Sequence, residues 1–344
     1  MQEYLDFRSD TVTRPTKEMI KAMSKAKVGD DVLGDDPTVI ELEELAKKVT
    51  GKQGALFICS GTMGNQISIR VHTNPGEEII IEEDSHIFKY EVGGAAWNSL
   101  VQTRTIEGRY GCMSLEKISD SIRHDDIHDP RTGLICLENT HNNSGGVILP
   151  LEYIQEVRKL SQKRNIKMHL DGARIFNASA ATGIPVKEYA KYFDSMMFCL
   201  SKGLCSPLGS ILVGDIDFID HARRVRKVLG GGWRQAGYLA ACGIISIKKM
   251  SKRLGDDHEK ARVFSKALGE MGEFIIDMKS VQTNMVYFKP LKEPSESFIL
   301  RMKKKGVLAL SHDDKVRFVF HNDVSLSDVK RALGIIKNDS MKRR

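Results

Sequence analysis

Through about residue 215 the chain alternates short, nearly continuous apolar runs with longer stretches of helical periodicity. That alternation restricts the fold to a mostly parallel sheet with helices on both faces. The strand-like runs are Ala55 to Cys59, Glu78 to Glu82, Leu134 to Glu138, Lys167 to Leu170, Met196 to Leu200 and Ile211 to Gly214. Runs apolar at successive positions belong to strands buried on both faces. Helices are expected over Ile40 to Val49, Leu151 to Arg164 and Asp217 to Val228. The first 35 residues, with Pro15, Gly29, Gly34 and Pro37 in or just after them, read as an extended arm that gains order against a partner subunit. A long helical stretch from Tyr238 to Leu254 is expected to bridge to an α+β module. In that module a helix (Glu259 to Met271), a strand (Met285 to Phe288), a helix (Ser295 to Lys305) and two strands (Val307 to Leu310, Val316 to Phe320) follow one another. A chain of 344 residues exceeds the size at which one core stops growing. The expected division is therefore an arm and large domain over residues 1–248 and a small C-terminal domain over 249–344.

Two strand ends carry the chemistry. The run Met196 to Leu200 delivers Lys202 to the mouth of a core, ahead of the small residues Gly203 to Gly209. Desolvation there lowers an ammonium pKa and frees the amine as a nucleophile, the condition for a Schiff base with a carbonyl or with pyridoxal phosphate. A lysine can also pack its stem and keep its head in water, so its neighbours must decide. Asp171 ends another apolar run and opens Asp-Gly-Ala-Arg. A carboxylate there is what a pyridinium nitrogen needs in order to stay protonated and keep the ring an electron sink. Ser60-Gly61-Thr62-Met63-Gly64-Asn65 then forms a strand-to-helix turn. Its backbone N–H groups, in Gly61 and Thr62 above all, suit a phosphate at a helix N-terminus.

A wider set of motifs runs in order along nearly the whole chain. It comprises Phe7 to Thr13, Ser60 to Asn65, Asp84 to Phe88, Glu138 to His141, Asp171 to Asn177, Phe198 to Leu204 and Gly230 to Gly237. Together these resemble the low-specificity L-threonine aldolases, pyridoxal-phosphate enzymes of the aspartate-aminotransferase-like fold (fold type I). The resemblance implies retro-aldol cleavage of L-threonine, L-allo-threonine and other β-hydroxy-α-amino acids to glycine and an aldehyde. It implies that Lys202, with Ser201 beside it, holds the cofactor, that Asp171 meets the pyridinium nitrogen, and that Arg174 lies near the cofactor's phenolic oxygen and the substrate. Ser9 and Arg317 match residues near the substrate carboxylate, Arg317 as a bidentate fork. Lys227 and Arg234 match residues reaching a neighbouring subunit's phosphate, which implies a homotetramer or at least a dimer. His86 would lie over the cofactor ring, and His86 or His128 would accept the β-hydroxyl proton. One position departs from the family: a tyrosine usual in the Asp-Asp-Val-Tyr-Gly segment is here Leu33.

Other classes fit less well. The net charge of +7 is spread among 45 acidic residues, with basic runs only at 223–227, 303–305 and 342–344, so nucleic-acid binding is not expected. The cluster His124-Asp125-Asp126-Ile127-His128-Asp129, with His169, invites a metal-hydrolase reading, but Pro130 and Gly133 mark a loop rather than a ligand-bearing helix face, and no metal is expected. Nearer rivals are an aminotransferase or another β-eliminating lyase, which share the Lys, Asp and phosphate turn. Six cysteines without a C-x-x-C pair, no run of ~18 apolar residues and no leader-like N-terminus point to the cytoplasm and away from a membrane.

Overall fold

The computed structural model of the protein describes residues 4–341. Its centre is a seven-stranded sheet of β1 (Gly54–Ile58), β2 (Glu78–Glu82), β3 (Gln102–Ile106), β4 (Thr132–Glu138), β5 (Lys167–Asp171), β6 (Ser195–Cys199) and β7 (Ser210–Gly214), in the order β1-β7-β6-β5-β4-β2-β3. Only β7 runs against its neighbours, pairing antiparallel with both β6 and β1. The other six therefore point the same way and place their C-terminal ends along one edge, where ligands of such sheets bind. Every residue of β2, β6 and β7 is buried, as continuous apolar runs require. Edge strand β3, Gln-Thr-Arg-Thr-Ile, is half-polar and carries no apolar signal.

Helices α1 (Pro37–Thr50), α2 (Gly61–His72), α3 (Leu151–Lys163), α4 (Ile216–Val228) and α5 (Gly237–Lys248) cover the sheet. Local chemistry sets their ends. Asp36 caps α1 by accepting from the N–H groups of Thr38 and Val39, Pro37 occupies its first turn, and Gly51 ends it with φ of 70°. Helix α5 is apolar nearly all round and lies close enough to its neighbours that a Cβ on Gly243 would sit 2.9 Å from both Leu200 and Leu42. The bridging stretch expected over Tyr238 to Leu254 is α5 followed by a 3-10 turn over Met250–Arg253, and the helix expected from Glu259 to Met271 begins earlier, as α6 (Leu254–Gly269).

The C-terminal unit holds an antiparallel sheet ordered β8-β9-β11-β10, from β8 (Phe274–Ile276), β9 (Met285–Pro290), β10 (Leu310–His312) and β11 (Lys315–Val319), with α7 (Ser295–Lys304) and α8 (Leu326–Met341). Its core is aromatic. The N-terminal arm, expected to gain order against a partner subunit, begins with a stretch that its own chain holds. Leu5 and Asp6 pair in parallel with Val307 and Leu308, and Phe7 is fully buried, stacked 4.8 Å from Phe318. Burying that ring contributes about 1.5–3 kcal/mol, enough to hold a short arm on its own chain. Arm residues are thereby delivered to the edge where the sheet's strands end. No helix among the described residues is long and apolar enough to cross a membrane.

Candidate active site

Strands β5 and β6 are paired neighbours, with Asp171 opposite Met197, so Asp171 and the loop carrying Lys202 emerge side by side. The Lys202 carbonyl is pinned by the Thr13 hydroxyl at 2.9 Å and the Cys205 N–H at 2.9 Å. Its half-buried ammonium has neither a hydrogen bond nor an ion pair among the described residues. Strand β1 ends at the same edge and leads through Ser60 into α2. The Ser60 hydroxyl takes the N–H of Met63 and its carbonyl that of Gly64, which leaves those of Gly61 and Thr62 open. A Cβ on Gly61 would meet Cys199 Sγ and Met197 Cε at 2.9 Å, so only glycine lets this turn sit so close to β6.

Behind these groups lies a connected polar array. Asp171 is buried, with Oδ1 accepting from the Ala173 N–H at 3.0 Å and Oδ2 from Asn65 Nδ2 at 2.8 Å. The second Asn65 amide proton goes to Glu91 Oε1 at 2.7 Å. With both protons committed, Asn65 Oδ1 must accept from His169 Nε2 at 3.0 Å. His169 Nδ1 then accepts from the Ser195 hydroxyl at 2.8 Å, and that oxygen accepts from His72 Nε2, also at 2.8 Å. Burial pushes His169 down to about 3 and His72 down to about 4, so both stay neutral at working pH and the array keeps one direction of donation.

His86 begins the short helix after β2; its N–H donates to Glu138 Oε2 at 2.6 Å, and its Nδ1 meets Glu91 Oε1 at 3.0 Å. Burial alone would lower its pKa, but the Glu91 hydrogen bond and the charges of Asp171 and Glu138 outweigh it, and the net shift is upward.

Cations gather on the substrate side. Arg174 donates through Nε and Nη2 to the two oxygens of Asp10, at 2.8 and 2.6 Å, both groups being buried. Asn142 Oδ1 receives Arg174 Nη1 at 3.4 Å and Arg317 Nη1 at 3.3 Å, drawing the two guanidiniums together. Arg317 Nη2 donates to the Arg8 carbonyl, its buried Nε makes no hydrogen bond, and the Tyr287 hydroxyl lies against the same guanidinium. Ser9 caps a turn by accepting from the Thr11 N–H and lies beside Asp10.

The Asp10–Arg174 pair has a testable cost. Burial would raise the Asp10 pKa, but Arg174 holds its carboxyl well below the usual carboxylate range. A depressed folded-state pKa supplies stability that is complete above the unfolded value, about 4, and is lost as pH falls below it. Asp10→Ala strands a buried guanidinium, and thermal unfolding at pH 7 is expected to show a loss of about 3–5 kcal/mol. That deficit should shrink in strongly acid solution.

Three expected site residues lie elsewhere in the chain. His128 stands in the loop that enters β4, paired with Asp126 at 2.7 Å, and its side chain is 84% exposed. The seven residues of β4, at about 3.3 Å each, put roughly 20 Å between that end of the sheet and the edge bearing Lys202. His128 therefore cannot share a substrate hydroxyl with His86 in one chain. Lys227 is exposed at the end of α4, and Arg234 pairs with Asp30 at 2.9 Å. The glycine loop between them does border the phosphate turn, since Gly231 packs on the Met63 side chain. Leu33, 74% exposed, lines a cavity of about 510 Å³ with Val32, Arg226, Lys227 and Gly232.

Sequence reasoning assigned no role to Asp10, Asn65, Glu91, Glu138 or Asn142. Four of the five lie inside motifs quoted above or one residue beyond one, so their positions were visible but their partners were not. Glu91 falls outside every motif; its only signal was a carboxylate five residues after His86, on a segment too short for helical periodicity.

The arrangement fits pyridoxal phosphate: an unpaired lysine, a buried carboxylate beside it, a turn with open N–H groups, and an arginine with an unpartnered buried Nε. Residues 6–290 match the model of the beta-eliminating lyase family. A low specificity L-threonine aldolase of Escherichia coli (strain K12) is 44% identical over 322 residues, 93% of this chain and 95% of that one. A probable low-specificity L-threonine aldolase 2 of Arabidopsis thaliana is 43% identical over 337 residues, 96% and 95% of the two chains. Among solved structures, the threonine aldolase of Leishmania major superposes with a TM-score of 0.84 at 16% identity, covering 97% of this chain and 99% of that one.

Proposed function

The chain belongs to the beta-eliminating lyase family and, within it, to the low-specificity L-threonine aldolases, and from that premise we propose that the cluster at the C-terminal edge of the sheet is where it works. The protein is a pyridoxal-phosphate-dependent aldehyde-lyase that cleaves L-threonine and related β-hydroxy-α-amino acids to glycine and an aldehyde. The observation that carries the site assignment is the adjacency of unpaired Lys202 and buried Asp171 on neighbouring strand ends, with His86 at the same edge.

When bound, pyridoxal phosphate supplies a sink for the electron pair released as the Cα–Cβ bond breaks. Lys202 is the amine that would hold it covalently. Gly61, Thr62 and Ser201 would hold its phosphate, and Asp171 would keep a proton on the ring nitrogen. Arg317 would bind the substrate carboxylate through its guanidinium, while Asn142 and Ser9 fix the surrounding wall. Arg174, already forked on Asp10, contributes fixed positive charge near the cofactor's phenolic oxygen. His86 takes the β-hydroxyl proton through Nε2 as the aldehyde leaves, and reprotonation at Cα completes glycine.

Leu33, Lys227 and Arg234 we assign to a subunit interface of a homo-oligomer, a tetramer by family likeness. Exposed Leu33 and Val228 near the 510 Å³ cavity support this reading. The six unpaired cysteines support a reducing, cytoplasmic setting. Purified protein with pyridoxal phosphate is expected to release acetaldehyde and glycine from L-threonine in equal amounts and to sediment as a dimer or larger. Bound cofactor without either product would overturn the reaction assigned, and a monomer active at full rate would overturn the shared interface.

A further inference from the structure

Glu91 stands out because three donors converge on it inside the protein and none of these contacts offers it an acceptor. Asn65 Nδ2 reaches Oε1 at 2.7 Å, Gln66 Nε2 reaches Oε2 at 2.6 Å, and His86 Nδ1 lies 3.0 Å from Oε1. Opposite such a carboxylate, His86 Nδ1 must carry the proton, leaving Nε2 as the ring's open nitrogen. The same Asn65 amide binds Asp171, so Glu91 cannot shift without disturbing the carboxylate that serves the cofactor ring. We propose that Glu91 is a positioning residue for the lyase reaction: it fixes the His86 tautomer, aims Nε2 at the β-hydroxyl and makes that nitrogen the stronger base. This rests on the site assignment above and selects His86 as the base within one chain.

The other groups facing His86 are Tyr90, with ring centroids 5.5 Å apart, Glu138, Asp171 and Lys202. All four stay in place in Glu91→Gln, whose Oε1 can still accept from His86 and Asn65, so this substitution removes the charge and keeps the His86 contact, while its NH2 loses the Gln66 bond on the other side of the group. Glu91→Asp keeps the charge and serves as the control.

The decisive measurement is the titration of His86 in the apoprotein, followed by NMR of 13C-labelled histidine and assigned with His86→Phe. It is paired with the pH profile of kcat/KM for threonine in the cofactor-loaded enzyme. In Glu91→Gln the His86 pKa is expected to fall by about one unit, a tenfold loss of proton affinity. The acid limb of kcat/KM should move to lower pH by the same amount, because the free base persists further into acid. The plateau should drop by up to about tenfold as the base weakens, the most that a one-unit fall in its pKa can cost the proton transfer. Glu91→Asp should keep the limb nearer its wild-type position. An unmoved His86 titration, an unmoved acid limb with a lowered plateau, or equal shifts in both variants would reduce Glu91 to a structural role and overturn the proposal. Failure of the wild type to cleave threonine would instead strike the reaction, since the apoprotein titration reads the Glu91–His86 pair without substrate or cofactor.

Discussion

Lys202→Ala is expected to fold normally and to lose threonine cleavage by on the order of 10³-fold or more, the range carried by groups that act directly in the chemistry. The two halves of this expectation have separate causes. Stability changes little because the Lys202 ammonium has no hydrogen bond or ion pair to lose. What the residue contributes to the fold is its backbone carbonyl, held by Thr13 and Cys205, and alanine keeps it. The change should stay within about 1 kcal/mol, as for substitutions that break no named contact. Activity collapses because the chemistry loses its amine, and Arg174, the other cation of the site, is committed to Asp10. Removing the lysine's charge also leaves His86 somewhat easier to protonate, since Lys202 acts against its positive form. Borohydride reduction followed by intact-protein mass should fix the cofactor to the wild type and not to the variant. Full activity in Lys202→Ala would sink the assignment, and a large fall in melting temperature would recast the lysine as structural.

How much of this was legible beforehand follows from where the physics is local. The buried strands were readable because an interior parallel strand carries an unbroken apolar run, and β2, whose Ile79 to Ile81 is closed by a glutamate at each end, matches the expected Glu78 to Glu82 residue for residue. Edge strand β3 was not, since its faces are half-polar, and α8 went unread at the chain's end. The arm's anchor in its own chain was not legible: Phe7 looks like one aromatic in a polar stretch, and only the folded C-terminal unit reveals Phe264, Phe318 and Phe320 around it. In the site, Lys202 and Asp171 declared themselves because a charge ending an apolar run is costly and visible. Asn65 and Glu91 did not, because their meaning lies in pairings across 26 and 106 residues of sequence. His128 was read from likeness alone, and strand direction places it at the far end of β4 from Lys202.

Asp171→Asn is the second large effect, and the surrounding network makes it more than the loss of one charge. In the wild type Asp171 is acceptor-only, taking the Ala173 N–H on Oδ1 and Asn65 on Oδ2. An asparagine there must turn its NH2 toward one of those two donors. The backbone cannot yield, and Asn65 cannot flip without breaking its bonds to both Glu91 and His169. Whichever way the new amide points, one buried donor is left unsatisfied, at a cost of about 1–3 kcal/mol. The apoprotein should therefore melt a few degrees lower, a penalty independent of the cofactor. The chemical loss adds to it: a neutral amide no longer favours a protonated ring nitrogen, so cofactor affinity should fall at least about tenfold, and cleavage by roughly 10²-fold or more. These readouts separate the roles. A lower melting temperature with near-normal turnover would mean that another group holds the ring proton and that Asp171 serves the Asn65 network alone. Unchanged melting with lost turnover would place its whole contribution in the charge and imply that Asn65 reorients more freely than its two other bonds allow.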